Sequence, residues 1–173
     1  MDEQFMLHAV KQAKKAESLG EVPIGAVIEK EGKIIARAYN KRELSMCAAA
    51  HAEMLAIEKA CKKLNNWRLS GCTLYVTLEP CPMCAGAAVN ARMERIVFGA
   101  PNPQSGACGT KLNLPEMNLL NHTPCVTGGI LEETCKDLMT AFFKKARARN
   151  KAEKNSYSEY SIDDDNMFIT SVS

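Results

Sequence analysis

The chain has 173 residues, of which 46% are hydrophobic and 24% are charged, and its formal net charge is +2. This size and composition are typical of one water-soluble domain with a full hydrophobic core. They exclude a membrane-spanning chain, because no apolar run reaches about 18 residues. The acidic start MDEQ also lacks the basic region of a signal peptide, so we expect no membrane segment and a cytoplasmic location.

Apolar periodicity predicts helices and strands along most of the chain. Residues 3–19 have the spacing of an amphipathic helix, and Glu31-Gly32 between two apolar runs predicts a hairpin of strands 24–30 and 33–40. The later elements are a helix that ends near residue 64, a strand at 73–80, a helix at 82–92, a strand at 95–100, a weaker strand at 123–127 and a helix at 131–150. A hairpin followed by alternating helices and strands predicts an α/β sandwich with a mixed sheet.

Charge is unevenly distributed between the body of the chain and its end. Residues 155–173 contain four acids and no Lys or Arg, which leaves residues 1–154 with 22 basic and 16 acidic side chains. A basic body is compatible with a polyanionic partner. We expect residues 1–150 to form the folded domain and the polar residues 151–173 to form a disordered tail.

Four residues with metal or proton chemistry begin two of the predicted helices. His51 and Glu53 begin one, and Cys81 and Cys84 begin the next. Since these helices follow loop or extended segments, we expect their starts to converge at one edge of the sheet. Two thiolates and an imidazole leave the fourth position of a zinc ion open, which is typical of catalytic zinc. Glu53 projects from another side of the helix than His51, and is therefore expected to carry protons.

The Cys81–Cys84 pair has two other interpretations, a structural zinc site and a redox pair. A structural zinc site normally needs four protein ligands, and the sequence has no second close cysteine pair. A redox pair of the thioredoxin type belongs to a different strand and helix context. The catalytic zinc is the interpretation that uses His51 as well as both cysteines.

The segments His51-Ala52-Glu53 and Pro80-Cys81-Pro82-Met83-Cys84 match the H-x-E…P-C-x-x-C signature of zinc-dependent nucleobase deaminases. From about residue 3 to residue 150 the chain resembles bacterial tRNA-specific adenosine deaminases. The stretches that carry this wider resemblance are EVPIGA (21–26), YNKRE (39–43), NWRL (66–69), residues 75–84, VFGA (97–100), Asn121-His122 and GILE (129–132).

The resemblance implies a cytidine-deaminase-like fold, a three-layer α/β/α sandwich around a five-stranded mixed sheet. It also implies a homodimer with one Zn²⁺ per subunit. The implied reaction is hydrolytic deamination of adenosine to inosine at the wobble position of a tRNA anticodon loop, that of an arginine tRNA. Such loops present bases that are already partly unstacked, which lowers the cost of taking one into a pocket.

The resemblance also implies roles for individual residues. Glu53 would be the catalytic residue, and His51, Cys81 and Cys84 would be the zinc ligands. The residues expected to contact the substrate are Asn40, Ile24, Ala52, Asn102, Gln104, Phe143 and Arg147. Asn102 stands where the family often has Asp, which removes a charge beside the RNA backbone.

Two other functions remain open on the sequence. Pro82 in the cysteine motif is also common in guanine deaminases, which share the fold and zinc site. An RNA-binding module with a structural zinc is the other possibility. Residues 144–154, KKARARNKAEK, hold six basic residues and one acid next to Phe142 and Phe143, a pattern that fits single-stranded RNA.

Overall fold

The computed structural model describes residues 1–117 and 121–163, with side chains described as far as residue 152 outside the same gap. The chain divides into two compact units, Met1–Met139 and a second that begins at Thr140. Part of the predicted tail, from residue 164 onward, lies outside the described residues. No helix in the described part of the chain combines the length and apolarity of a membrane span.

The first unit contains a five-stranded mixed sheet. Its strands lie in the order β2-β1-β3-β4-β5, with β1 antiparallel to both β2 and β3, and with β3, β4 and β5 parallel. The elements in chain order are α1 (Asp2–Ser18), β1 (Gly25–Lys30), β2 (Lys33–Tyr39), α2 (Ala52–Leu64), β3 (Cys72–Leu78), α3 (Pro82–Asn90), β4 (Arg95–Ala100), a 3-10 turn (Leu114–Glu116), β5 (Cys125–Thr127) and α4 (Glu132–Asp163).

Successive side chains of the central strand β3 belong to two different layers of the core. Leu74 and Val76 belong to a buried cluster that includes residues of α2 and α3. Tyr75, between them, belongs to a second cluster with Met6 and Val10 of α1. Because successive strand side chains point to opposite faces, helices cover both faces of the sheet. The predicted three-layer α/β/α sandwich is confirmed.

The predicted hairpin is also present. Glu31 and Gly32 join β1 to β2, and both have positive φ, of 50° and 75°. Two positive φ values are the requirement of a tight type I′ turn, whose twist matches that of the paired strands.

The last helix differs from its predicted bounds. It was expected to end near residue 150, but α4 continues to Asp163. The polar composition of residues 151–163 favoured disorder in the sequence analysis, yet the segment contains no Pro or Gly to end a helix. Residues 164–173 of the predicted tail lie outside the described residues.

Candidate active site

Two helix starts position the predicted metal ligands. His51 is the N-cap of α2 and Cys81 is the N-cap of α3, and both have extended backbone with φ of −72°. Pro82 follows Cys81 at the start of α3, where its fixed φ and missing N–H suit a first helical residue. The strand β3 delivers the chain to Cys81, and Cys84 lies one helical turn further on.

The structure brings His51, Cys81 and Cys84 together. The Nδ1 atom of His51 lies 3.8 Å from the Sγ of Cys81 and 3.6 Å from the Sγ of Cys84. All three potential ligand atoms lie within 4.8 Å of one another. His51 and Cys81 are half-buried while Cys84 is buried, so the cluster opens to the surface on one side. The grouping expected from the two helix starts is therefore present.

The two thiols form a hydrogen-bonded pair with the imidazole beside it. The hydrogen bond from Cys84 lowers the pKa of Cys81 to about 4, and His51 acts in the same direction. The same hydrogen bond and burial raise the pKa of the Cys84 thiol. The hydrogen bond with Cys81 raises the pKa of His51. Two cysteine sulfur atoms and an imidazole form a donor set of the kind that zinc prefers.

Glu53 lies beside the three-residue cluster, in the first turn of α2. Its side chain is only 4% exposed. Burial raises the pKa of its carboxyl group, which also shares a hydrogen bond with Cys84. A buried carboxyl group next to a potential metal site has the placement of a general acid and base.

The predicted base-binding residues occupy the opposite end of the hairpin from its turn. Asn40 is buried and follows β2 directly. The next residue, Lys41, donates its backbone N–H to the carbonyl of Ala50 at 3.0 Å, which joins the end of β2 to the residue before His51. Ala52 is fully buried. Ile24 is half-buried and packs against the α2 and α3 core cluster.

A buried carboxylate that the sequence analysis did not identify holds Asn40. The Nδ2 of Asn40 donates to Oε2 of Glu21 at 2.9 Å. The other oxygen of Glu21 accepts the backbone N–H of Leu44 at 2.7 Å. Glu21 thus fixes the Asn40 amide and the loop after it. The one available signal was an acid directly before the apolar run from Val22, a pattern too common in turns to mark a site.

Asn102 and Gln104 lie in the loop between β4 and the 3-10 turn. The Oδ1 of Asn102 accepts the backbone N–H groups of Gln104 and Ser105, each at 3.2 Å, and its Nδ2 donates to Oγ of Ser105 at 3.1 Å. The side chain of Asn102 therefore shapes the loop, while Gln104 is exposed. This is the arrangement of an Asx turn.

A second carboxylate missed in the sequence, Glu79, accepts hydrogen bonds from this same loop. Burial alone would raise the pKa of Glu79, but the hydrogen bonds from Asn102, Thr110 and Cys108 outweigh burial and hold its pKa below the usual value. From the sequence alone, Glu79 is predicted to lie at the end of an apolar strand. Its partners are more than twenty residues away, so no local pattern marks them.

Phe143 and Arg147 belong to the second compact unit, on α4. Both are exposed, and the ring of Phe143 meets that of Phe142 edge-on with centroids 5.5 Å apart. Phe142 is half-buried. The exposed ring and guanidinium lie four residues apart on one helix, a spacing that puts both on the same face.

Comparisons with known proteins agree with this geometry. A family model described as MafB19-like deaminase matches residues 1–147. The tRNA-specific adenosine deaminase of Bacillus subtilis (strain 168) is 54% identical over 158 residues, which are 91% of this chain and 98% of that protein. A structure from biochemical and structural studies of A-to-I editing by tRNA:A34 deaminases is 39% identical, with a TM-score of 0.76 over 78% of this chain and 98% of the other. A structure of guanine deaminase from Nitrosomonas europaea is 27% identical, with a TM-score of 0.68 over 81% of this chain and 83% of that one.

Proposed function

The chain belongs to the MafB19-like deaminase family, and on this premise we propose that it is a tRNA adenosine deaminase. It hydrolyses adenosine to inosine and ammonia at the wobble position of a tRNA anticodon loop, and by family resemblance that tRNA is an arginine tRNA. One observation supports the proposal most directly. The His51, Cys81 and Cys84 cluster lies beside buried Glu53 in a chain 54% identical, over nearly its whole length, to a tRNA-specific adenosine deaminase.

His51, Cys81 and Cys84 would hold one Zn²⁺ per subunit, and their spacing fits that ion. Zinc bonds of about 2.3 Å to sulfur and about 2.0 Å to nitrogen at a tetrahedral angle separate the two donors by about 3.5 Å. The observed Sγ to Nδ1 separations are 3.8 and 3.6 Å. When bound, the zinc would supply an acidified water molecule to the reaction.

Glu53 would move the protons of the reaction. Its carboxylate would take one proton from the attacking water and pass it to the ring nitrogen, and would then take the second proton from the added hydroxyl group and pass it to the departing amine, which leaves as ammonia. Burial keeps bulk water away from this carboxylate, which supports a direct transfer between it and the base. Glu53 is not a ligand in this scheme, because two thiolates and one imidazole already supply the protein ligands.

Asn40, Ile24 and Ala52 would form the pocket for the purine. Glu21 takes one N–H of the Asn40 amide, so the second N–H and the carbonyl oxygen are the groups that would read the base. An amide held in this orientation can donate to N7 and accept from the N6 amine of adenine. Ile24 would pack against the flat face of the purine.

The RNA outside the pocket would contact two regions of the chain. Asn102 and Gln104 lie in the loop after β4, and Phe143 and Arg147 lie on α4. Exposed Phe143 can stack on an unpaired base, and Arg147 can pair with a phosphate. We further propose a cytoplasmic homodimer, which rests on the resemblance to the family.

A guanine deaminase is the second candidate, because a guanine deaminase structure shares the fold at 27% identity. The test is an assay with two substrates, an anticodon stem-loop with adenosine at the wobble position and free guanine. A stem-loop with guanosine at that position is the matched RNA control. Inosine in the first RNA, with no ammonia released from the guanosine RNA or from free guanine, supports the proposal. Ammonia released only from guanine contradicts it.

A further inference from the structure

The loop from residue 101 to residue 110 has an outer part and an inner part. Residues 103–105 are exposed, whereas Gly106, Ala107 and Cys108 are buried, the last two within the core cluster of α2 and α3. The loop contains no helix or strand of its own, apart from a single bridge between Cys108 and Asn113. Its shape therefore depends on contacts with other parts of the chain as well as on the Asn102 turn inside it.

Glu79 supplies those contacts. It follows β3, lies two residues before Cys81 and is 1% exposed. Its Oε1 accepts the backbone N–H of Cys108 at 2.9 Å and that of Thr110 at 3.0 Å. Its Oε2 accepts the backbone N–H of Asn102 at 3.0 Å and the hydroxyl group of Thr110. One carboxylate thus joins the first turn of the loop to its last residues.

The loop closes tightly around this carboxylate. A Cβ atom built on Gly106 would lie 2.2 Å from Oε2 of Glu79, so position 106 leaves no room for a side chain. The backbone on each side of the carboxylate is also tied to the loop region. Glu79 N–H donates to the carbonyl of Ala100 at 2.8 Å, and Ala107 N–H donates to the carbonyl of Pro80 at 2.9 Å.

From this geometry we propose that Glu79 is a positioning residue for substrate RNA. It holds the loop 101–110 in the shape that presents Asn102 and Gln104 to the RNA strand. The proposal rests on the proposed function, since it is that function which makes the loop an RNA contact. Glu79 would act on RNA binding rather than on the chemical step, because the hydrogen bonds of its carboxylate go to the loop.

The change Glu79→Gln tests this role with little change of shape. Each oxygen of Glu79 accepts two hydrogen bonds, so a glutamine NH₂ would face two backbone N–H donors in one orientation and one backbone N–H donor in the other. The direction of the change in RNA affinity distinguishes a lost charge from a lost loop geometry. Removing a negative charge from a protein that binds a polyanion would by itself tighten binding. A weaker interaction with RNA would therefore report the lost loop geometry and not the lost charge.

The experiment measures kcat and KM on the wobble-adenosine stem-loop, together with zinc content, for the full chain. For Glu79→Gln we expect KM to rise about tenfold or more while kcat changes less than about threefold, the signature of lost substrate binding. Zinc content should stay at the wild-type level. The control is Glu116→Gln, which neutralises an exposed carboxylate of the neighbouring 3-10 turn and should not raise KM.

Thr110→Val provides a second variant in case Glu79→Gln does not fold. It removes only the hydroxyl donor and keeps the three backbone hydrogen bonds, so we expect a rise in KM of about threefold. An unchanged KM in a folded Glu79→Gln variant, or in Thr110→Val, would overturn the proposal. Loss of zinc from folded Glu79→Gln would also overturn it, since Glu79 would then support the metal ligands. Failure of the wild-type chain to deaminate the stem-loop would instead refute the proposed function.

Discussion

His51 and Glu53 are separated by a single alanine, yet the structure gives them different surroundings. His51 is the N-cap and still has extended backbone, so its imidazole joins the sulfur atoms of the neighbouring helix. Glu53 is already helical and 4% exposed. The change from extended to helical backbone therefore lets one short segment supply both the proposed metal ligand and the proposed proton carrier.

Replacing the proton carrier should separate these two roles. We expect Glu53→Gln to lower kcat on the stem-loop by about 10²–10⁴-fold, the usual contribution of a positioned acid or base. Zinc content should remain at the wild-type level, as measured by metal analysis of the purified protein. The control is Glu58→Gln, an exposed position on the same helix. A Glu53→Gln variant without zinc would contradict the role assigned here.

Replacing one of the proposed zinc ligands should remove the zinc, whereas replacing Glu53 should leave it bound. We expect Cys84→Ala to lose its zinc together with all measurable turnover. Loss of a group that only hydrogen-bonds to a ligand lowers metal affinity by about 10–100-fold, and loss of the ligand itself should exceed that range. The control is Cys61→Ser on the same side of the sheet, half-buried and hydrogen-bonded to the carbonyl of Trp67. Full zinc occupancy in Cys84→Ala, measured after dialysis, would contradict the assignment.

The first helix is attached to the sheet by polar as well as apolar contacts. Asp2, in the first turn of α1, accepts hydrogen bonds from Tyr75 Oη at 2.7 Å and from Arg95 Nη2 at 3.1 Å. The Phe5 ring packs on Tyr75 with centroids 5.2 Å apart. These contacts connect α1 with β3 and β4, the two strands whose ends lead toward the candidate site.

This attachment predicts a pH-dependent stability. The hydrogen bond from Arg95 lowers the pKa of Asp2 below its usual 3.8, with a smaller contribution from Tyr75. A lowered folded-state pKa means that the ionised carboxylate stabilises the fold above about pH 4 and stops doing so as the pH falls further. We expect Asp2→Asn to reduce the free energy of unfolding by about 1 kcal/mol at pH 7.

The measurement is urea unfolding of both proteins at pH 7 and at pH 3. The difference between wild type and Asp2→Asn should shrink at the lower pH, because the carboxyl group of the unfolded chain, with its usual pKa of 3.8, is then mostly protonated. Glu3→Gln, one residue along the same helix, controls for the charge at the start of α1. A difference that stays constant with pH would rule out the Asp2 carboxylate as its source.

Over the whole molecule, positive charge is concentrated before residue 155, and a large part of it lies on α4. A helix with this charge is expected to bind RNA through phosphates. Binding of single strands weakens with salt by a slope of about 0.7 for each phosphate contact. Neutralising four residues to glutamine should therefore lower the salt slope of RNA binding by up to about 3. The four residues are Lys144, Lys145, Arg147 and Arg149.

The control for this prediction removes the same charge from exposed positions elsewhere. Its four residues are Lys11, Lys14, Lys33 and Lys63. The slope is obtained from stem-loop affinities at several salt concentrations. An unchanged slope in the α4 variant, or an equal decrease in the control, would exclude specific phosphate contacts on α4.

Local patterns in the sequence predict most of the architecture and the grouping of His51, Cys81 and Cys84. The hairpin was predicted from Glu31-Gly32, and the ligand cluster from two motifs at helix starts. Glu21 and Glu79 were not predicted, because their hydrogen-bond partners are distant in the chain. A buried acid near the end of a strand also has no recognisable local sequence pattern. The full length of α4 was not predicted, because the polar composition of residues 151–163 indicates poor burial but does not by itself exclude a helix.

The contact between Gly106 and the Glu79 carboxylate constrains how this sequence can evolve. While the carboxylate is present, every side chain at position 106 meets it, so glycine is retained there for as long as glutamate remains at position 79. The backbone carbonyl oxygen of Asn102 lies 2.7 Å from the same Cβ position, so loss of the glutamate alone would not make room for another residue. A descendant sequence that replaces this glycine must therefore change the path of the loop backbone as well as the residue at position 79.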